Sequence, residues 1–203
     1  MLPLLSIQNL SIGFRQENKL TPAVHNISFF VNRGETVAIV GESGSGKSVT
    51  SLTILQLLPA PPAAYTSGNI MFSEQGEAGV DLLRLSEKEM RAVRGNKIAM
   101  IFQEPMTSLN PLYTCGNQVM EAIMLHQAVS ATDAKQKTIE LFEKVQLPEP
   151  AAMFSRYPHE ISGGQKQRVM IAMAMSCEPL LLIADEPTTA LDVTVQQNIL
   201  HLI

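Results

Sequence analysis

The eight residues GESGSGKS, Gly41 to Ser48, constrain this chain more than any other stretch. They follow a β-branched run, TVAIV, and precede KSVTSLTILQLL, whose apolar positions recur at helical spacing. A strand feeding a glycine-rich loop that opens a helix is the setting in which GxxxxGK[ST] carries chemistry. Glycines at 41, 44 and 46 permit positive φ and close backbone approach, so successive N–H groups can converge on an anion. Lys47 adds a point charge suited to β- and γ-phosphates, and the Ser48 hydroxyl is placed to ligate Mg²⁺. The loop therefore predicts a nucleoside triphosphate cradle formed by Gly41, Glu42, Ser43, Gly44, Ser45, Gly46, Lys47, Ser48 and Val49.

The residues around the loop predict the fold. LLSIQNLSIGF and AVHNISFFV alternate apolar and polar, NRGE supplies a turn, and Thr36 to Val40 is expected to be a buried strand. The helix after the loop is expected to run to Pro59, and NIMF is a short strand between two turn-rich stretches. KIAMIFQ, residues 97–103, and LLLIAD, residues 180–185, read as further buried strands. Apolar strands alternating with helices predict an α/β protein with a largely parallel sheet flanked by helices, preceded by an antiparallel β subdomain. Residues from about 106 to 176 change character and predict an inserted helical lobe within one domain spanning 1–203. Inside it Ser130 and Asp133 read as a capping box for ATDAKQKTIELFEKV, which Pro148 and Pro150 close.

Composition narrows the partners. With 45% apolar and 17% charged residues the chain can bury a core, and its net charge of −4 lacks the basic footprint of a nucleic-acid binder. Cys115 and Cys177 are isolated, without metal-ligand spacing, and are expected to be reduced thiols of a cytosolic protein. The N-terminus lacks the basic and apolar regions of a signal peptide. The runs VMIAMAM and LLLIA fall far below the roughly 20 residues that cross a bilayer. Service to a membrane would go through a partner. At the other end, DVTVQQNILHLI places Val195, Ile199 and Leu202 at helical spacing without a stop signal, so the chain is expected to be a C-terminally truncated piece.

Three further features carry chemistry. Asp185 and Glu186 end the LLLIAD strand: Asp185 suits a Mg²⁺ shell, and Glu186 can orient and deprotonate an attacking water. Read alone, DEPT would also serve as a helix N-cap with Pro187 in the first turn. Gln103 ends the KIAMIF strand and could reach the same metal through its amide oxygen. Finally, ISGGQKQR sets two glycines before a long helix, leaving a bare N-terminus that favours an anion, yet no anionic group stands near it in sequence.

GESGSGKS, the glutamine of IFQEPMTSLNP, ISGGQ, LLLIADEP and the TALD segment Thr189–Asp192 together resemble the ATP-binding subunits of ABC transporters. IFQEPMTSLNP, RYPHEISGGQ and ADEPTTALDVTVQ are similar to the branch serving dipeptide, oligopeptide and nickel importers, and within it to the ATPases of glutathione importers. The resemblance implies ATP and Mg²⁺ as ligands, a head-to-tail pair with a second ATP-binding domain (in trans or fused downstream), and two membrane-spanning permease subunits with a solute-binding protein behind them. It implies a peripheral location at the cytoplasmic face of the membrane. In such a pair Ser162, Gly163, Gly164 and Gln165 would cap the nucleotide held by the other domain, which answers the bare helix end. Gln103 would sense Mg²⁺ and water, Asp192 would communicate across the pair, and the lobe after Gln103 would dock the permease. Phe14 is the candidate adenine-stacking residue, with a core phenylalanine as the alternative.

Two departures stand out. Ile161 replaces the usual leucine, a nearly volume-neutral swap. The family's switch histidine belongs on a later strand, but only 17 residues follow Glu186, and His201 sits in a helical stretch. Little ATPase activity is therefore expected of these 203 residues alone. Competing readings are a soluble ABC-type ATPase acting on ribosomes or DNA, a phosphate-loop kinase, and a nucleotide-binding module without hydrolysis.

Overall fold

The computed structural model describes residues 2–17, 19–76, 78–103, 108–187 and 196–197. They form two compact units, Met1–Arg91 and Ala92–Ile203.

The first unit is built on antiparallel pairing. β1 (Leu5–Gln16) lies between β2 (Lys19–Val31) and β3 (Ala63–Phe72), and β4 (Val80–Asp81) adds an edge to β3. Leu5, Ile7, Leu10 and Ile12 of β1 are almost completely buried, and Ile70 and Phe72 join them from β3. The register slips twice between Ile7 and Ile12. At these bulges Asn9 and Asn26 take positive φ, which asparagine tolerates. Their N–H groups donate to Ser28 Oγ at 2.8 Å and Ser11 Oγ at 2.9 Å, so the ladder's break leaves neither donor orphaned. The expected β subdomain is therefore present, and NIMF proves to be the end of a ten-residue strand.

Helix α1 (Lys47–Ile54) follows the glycine loop and stops well before Pro59. A Schellman turn ends it: Gln56 is left-handed, its N–H donates to Thr53 O and the Leu57 N–H donates to Leu52 O. The Gln56 side chain also donates to the carbonyls of Leu82 and Leu85, contacts that favour this conformation in a residue with a Cβ. Tertiary bonds of this kind leave no local sequence signal.

One expectation fails clearly. Thr36 to Val40 is not a strand, and Val40 is 91% exposed. A β-branched run forms a strand only where neighbours complete its hydrogen-bond ladder, and among the described residues no strand pairs with this one. The segment therefore stays outside any ladder and exposed.

The second unit begins within α2 (Glu87–Val93) and contains the parallel pairing. β5 (Ile98–Ile101) is wholly buried and pairs in parallel with β6 (Leu181–Ala184), Ile98 opposite Leu181 and Ile101 opposite Ala184. Among the described residues the parallel sheet is limited to these two strands, and β6, flanked on one side only, is half-buried rather than buried throughout. Between them run α3 (Cys115–His126), α4 (Ala131–Lys144), the short α5 (Pro150–Met153) and α6 (Gly163–Met175).

Helical periodicity explains the packing. α3 buries Cys115, Val119 and Ile123, α4 buries Ala134, Thr138 and Phe142, each at steps of four, and α6 buries Val169, Met170, Ile171 and Ala172. These faces share one core with Ala99 and Ile101 of β5. Truncating a side chain as completely enclosed as Phe142 to alanine costs about 3–5 kcal/mol in such a core. Ser130 caps α4, accepting from the Asp133 N–H, while its hydroxyl donates to Asp133 Oδ2 at 2.7 Å.

Candidate functional site

The glycine loop lies in the first unit, and its backbone takes conformations that need glycine. Gly44 and Gly46 have φ of 80° and 94°, a region L-residues avoid. A Cβ on Gly46 would lie 2.9 Å from Ala23 O, so the loop's end needs glycine for both conformation and close approach to β2. At Gly44, by contrast, a Cβ would meet nothing within 4 Å, and residues 41–45 are exposed. Lys47 curls back over the loop, and Nζ donates to Gly41 O at 2.7 Å and to Glu42 O at 2.9 Å. These two bonds hold the ammonium at the loop's mouth and leave its third N–H for a ligand.

Helix α1 begins with no side-chain cap, since its N-cap is Gly46. Its first amides and its dipole therefore remain available to phosphate, and Ser48 and Val49 follow in the same turn. Phe14 sits in β1 of this unit, half-buried and opposite Thr21 and Ala63. Its ring is neither fully in the core nor fully open.

The second unit brings three predicted residues together. β5 and β6 end side by side, and the Asp185 N–H continues their ladder by donating to Ile101 O at 3.0 Å. The 83-residue offset that pairs the strands also relates Gln103 to Glu186, and Gln103 Nε2 donates to Glu186 Oε2 at 2.8 Å. Outside the carboxyl ends of parallel strands is where ligands bind in open α/β sheets. Glu186 has φ of 49°, a strained conformation for a residue with a side chain, and persists only where its surroundings hold it.

The donors are of the kind Mg²⁺ takes. In the second unit the Asp185 carboxylate and the Gln103 amide oxygen are hard oxygen donors, in the first the Ser48 hydroxyl is another, and no cluster of three His, Cys, Asp or Glu occurs among the described residues. Mg²⁺ takes one or two protein carboxylates and completes its octahedron with phosphate oxygens and water, so a sparse set fits it.

The ISGGQ helix end is less bare than its sequence suggests. Ser162 Oγ accepts from the Gln165 N–H at 3.3 Å, and Gln165 Oε1 accepts from the Ser162 N–H at 2.9 Å. This reciprocal capping box was legible as S-x-x-Q. It leaves the first helical amides, those of Gly163 and Gly164, to face outward, and a Cβ on Gly163 would meet nothing within 4 Å. Asp192 and His201 lie outside the described residues. A residue the sequence did not single out is Gln167, completely buried, whose Nε2 donates to Pro187 O at 2.7 Å.

A phosphate cradle opening a helix, with acidic and amide groups at the ends of parallel strands, defines a phosphate-loop nucleotide-binding protein. Comparison with known proteins narrows the class. A family profile described as "ABC transporter" matches residues 24–189, and the chain belongs to that family.

It is 57% identical to the peptidoglycan transport ATP-binding protein YejF of Agrobacterium fabrum over 99% of this chain and 36% of that protein. It is 52% identical to the glutathione import ATP-binding protein GsiA of Salmonella typhimurium, over 98% of this chain and 32% of that protein. The probable peptide ABC transporter ATP-binding protein y4tR of Sinorhizobium fredii is also 52% identical, over 98% and 58%. The chain thus spans about a third of YejF and GsiA and just over half of y4tR. The ATP-binding cassette MJ0796, solved as a dimer in a post-hydrolysis state bound to ADP and Pi, superposes with a TM-score of 0.85 at 28% identity, covering 98% of this chain and 80% of that one. The chain has the ABC cassette fold.

Proposed function

We propose that this chain is the ATP-binding and ATP-hydrolysing portion of an ABC importer, energising uptake of a peptide-like solute such as glutathione, a dipeptide or an oligopeptide. The Gln103–Glu186 pair at the ends of β5 and β6 is the observation that carries the enzymatic part. The names of the relatives above support the class of solute.

The chain's own groups take the following roles in this reading. Loop amides from Gly44 to Ser48 and the Lys47 ammonium bind and orient the phosphates. Ser48, Asp185 and Gln103 would hold Mg²⁺, which when bound neutralises charge on the β- and γ-phosphate oxygens. Glu186 orients the attacking water and takes its proton. Gln103 fixes that carboxylate through its own amide hydrogen. Ser162, Gly163, Gly164 and Gln165 present a helix N-terminus to the nucleotide of a second ATP-binding domain, with Asp192 acting across the same boundary. Phe14 offers a ring face to adenine.

The helical part of the second unit offers a surface for a membrane subunit. Ser108, Asn110, Tyr113, Asn117, Gln118 and Glu121 line a cavity of about 600 Å³, and the neighbouring Leu112 is 79% exposed. Among the described residues no helix is long and apolar enough to cross a membrane. The test is ATP-driven uptake by the whole protein reconstituted with its membrane subunits, in vesicles that enclose ATP and are offered a panel of peptides and glutathione from outside. Uptake of a peptide-like solute that Glu186→Gln abolishes is expected. Purification with ribosomes or DNA, without membrane subunits, would contradict the transport role.

A further inference from the structure

Gln167 belongs to the ISGGQKQR helix, yet it faces inward rather than toward a nucleotide. Its side chain is completely buried, Nε2 donates to Pro187 O at 2.7 Å, and Oε1 has no partner among the described residues. An amide satisfied at one end is an unfavourable occupant for a buried site, where a methionine or leucine of similar volume would lose nothing by burial. Buried polar groups left unpaired in this way call for an explanation beyond packing.

The peptide group it grips explains it. Pro187 directly follows Glu186, whose left-handed backbone is strained, and strain of that kind survives only when tethered. Upstream, the Asp185 N–H is anchored on Ile101 O, and the Glu186 carboxylate is held by Gln103. Downstream, the described tether is Gln167. We infer that Gln167 is a positioning residue that holds the loop carrying Glu186 in its hydrolytic conformation and links it to the helix whose N-terminus serves the nucleotide of the opposite domain. Movement of α6 when that end engages phosphate is thereby transmitted to Glu186. This hydrogen bond would be one link through which the two nucleotide sites of a paired assembly communicate. The inference rests on Glu186 being the base of the proposed reaction.

The experiment uses the whole protein in its assembled form and compares Gln167→Met, Gln167→Glu and Glu186→Gln. Gln167→Met keeps the volume and removes the donor. We expect kcat to fall roughly 10- to 100-fold, with ATP binding, KM and melting temperature unchanged and the Hill coefficient for ATP reduced toward one. Gln167→Glu can donate only when protonated, so its activity relative to the unsubstituted protein should rise as pH falls. Wild-type turnover and cooperativity in Gln167→Met overturn the inference. A loss that merely follows a lowered melting temperature, with no recovery of Gln167→Glu on acidification, overturns it as well. If Glu186→Gln still hydrolyses ATP, the assignment of the base fails instead, independently of the two Gln167 variants.

Discussion

Gln103 Nε2 and Glu186 Oε2 lie 2.8 Å apart, joined across the ends of two parallel strands whose register brings residue 103 beside residue 186. The contact commits one amide hydrogen to the carboxylate and leaves the amide oxygen for a cation. If Glu186 is the base as proposed, Gln103→Ala should lower turnover of the whole protein by about tenfold or more while leaving nucleotide affinity nearly intact, because orientation of that carboxylate is lost rather than the phosphate cradle. Steady-state kinetics with a parallel nucleotide-binding titration checks this.

Lys47 is held over the glycine loop by Gly41 O and Glu42 O. Lys47→Ala removes the loop's internal clasp and, in the proposed function, a charge-assisted bond to phosphate. A loss of about 1.5–3 kcal/mol in ATP binding is expected, read by calorimetry or a fluorescent nucleotide. Unchanged affinity would show that the triphosphate is held elsewhere.

Ser162 has two roles that one pair of substitutions separates. Ser162→Ala should destabilise the protein by about 1 kcal/mol in chemical denaturation, the usual value of an N-cap. Ser162→Asp preserves the cap but places a negative charge where a phosphate is proposed to arrive. It should retain stability and lose ATP-driven pairing, as measured by light scattering.

Burial pushes the Cys115 thiol up to about 11. The folded protein keeps this proton while the unfolded chain releases it above roughly 8.5, so the unfolded state binds fewer protons in that window. Stability should be unaffected below pH 8 and should fall between about pH 8.5 and 11, by at most ~1.4 kcal/mol per pH unit. Denaturation of Cys115→Ala across the same range should lack that contribution.

Gly116 makes a stability test of the helical packing. Its N–H donates to Phe154 O at 3.0 Å, and a Cβ there would enter the Phe154 ring. Gly116→Ala should cost about 1–3 kcal/mol through overpacking, measured by thermal unfolding.

Much of this organisation was legible in the sequence, for identifiable reasons. The apolar positions of β1, the Ser130 cap and the apolar β5 run are local patterns that local geometry fulfils. What the sequence concealed depends on distant partners. Thr36–Val40 has strand propensity but no described strand to pair with, and Gln56 ends α1 early because its amide finds Leu82 and Leu85. Gln103 carried little weight alone and gains its meaning from a register that only the paired strands reveal. Gln167 reads as an ordinary helical glutamine until Pro187 O is found against it. The Ser162–Gln165 box, by contrast, is a local pattern, S-x-x-Q, that the sequence carries in full.

The most direct test is the Glu186→Gln substitution in the whole protein, with bound nucleotide and released phosphate measured on the same sample. If the carboxylate held by Gln103 is the base, ATP binding persists, turnover falls by roughly 10²–10⁴ and the nucleotide remains as triphosphate. Phosphate release at the unsubstituted rate would contradict the account.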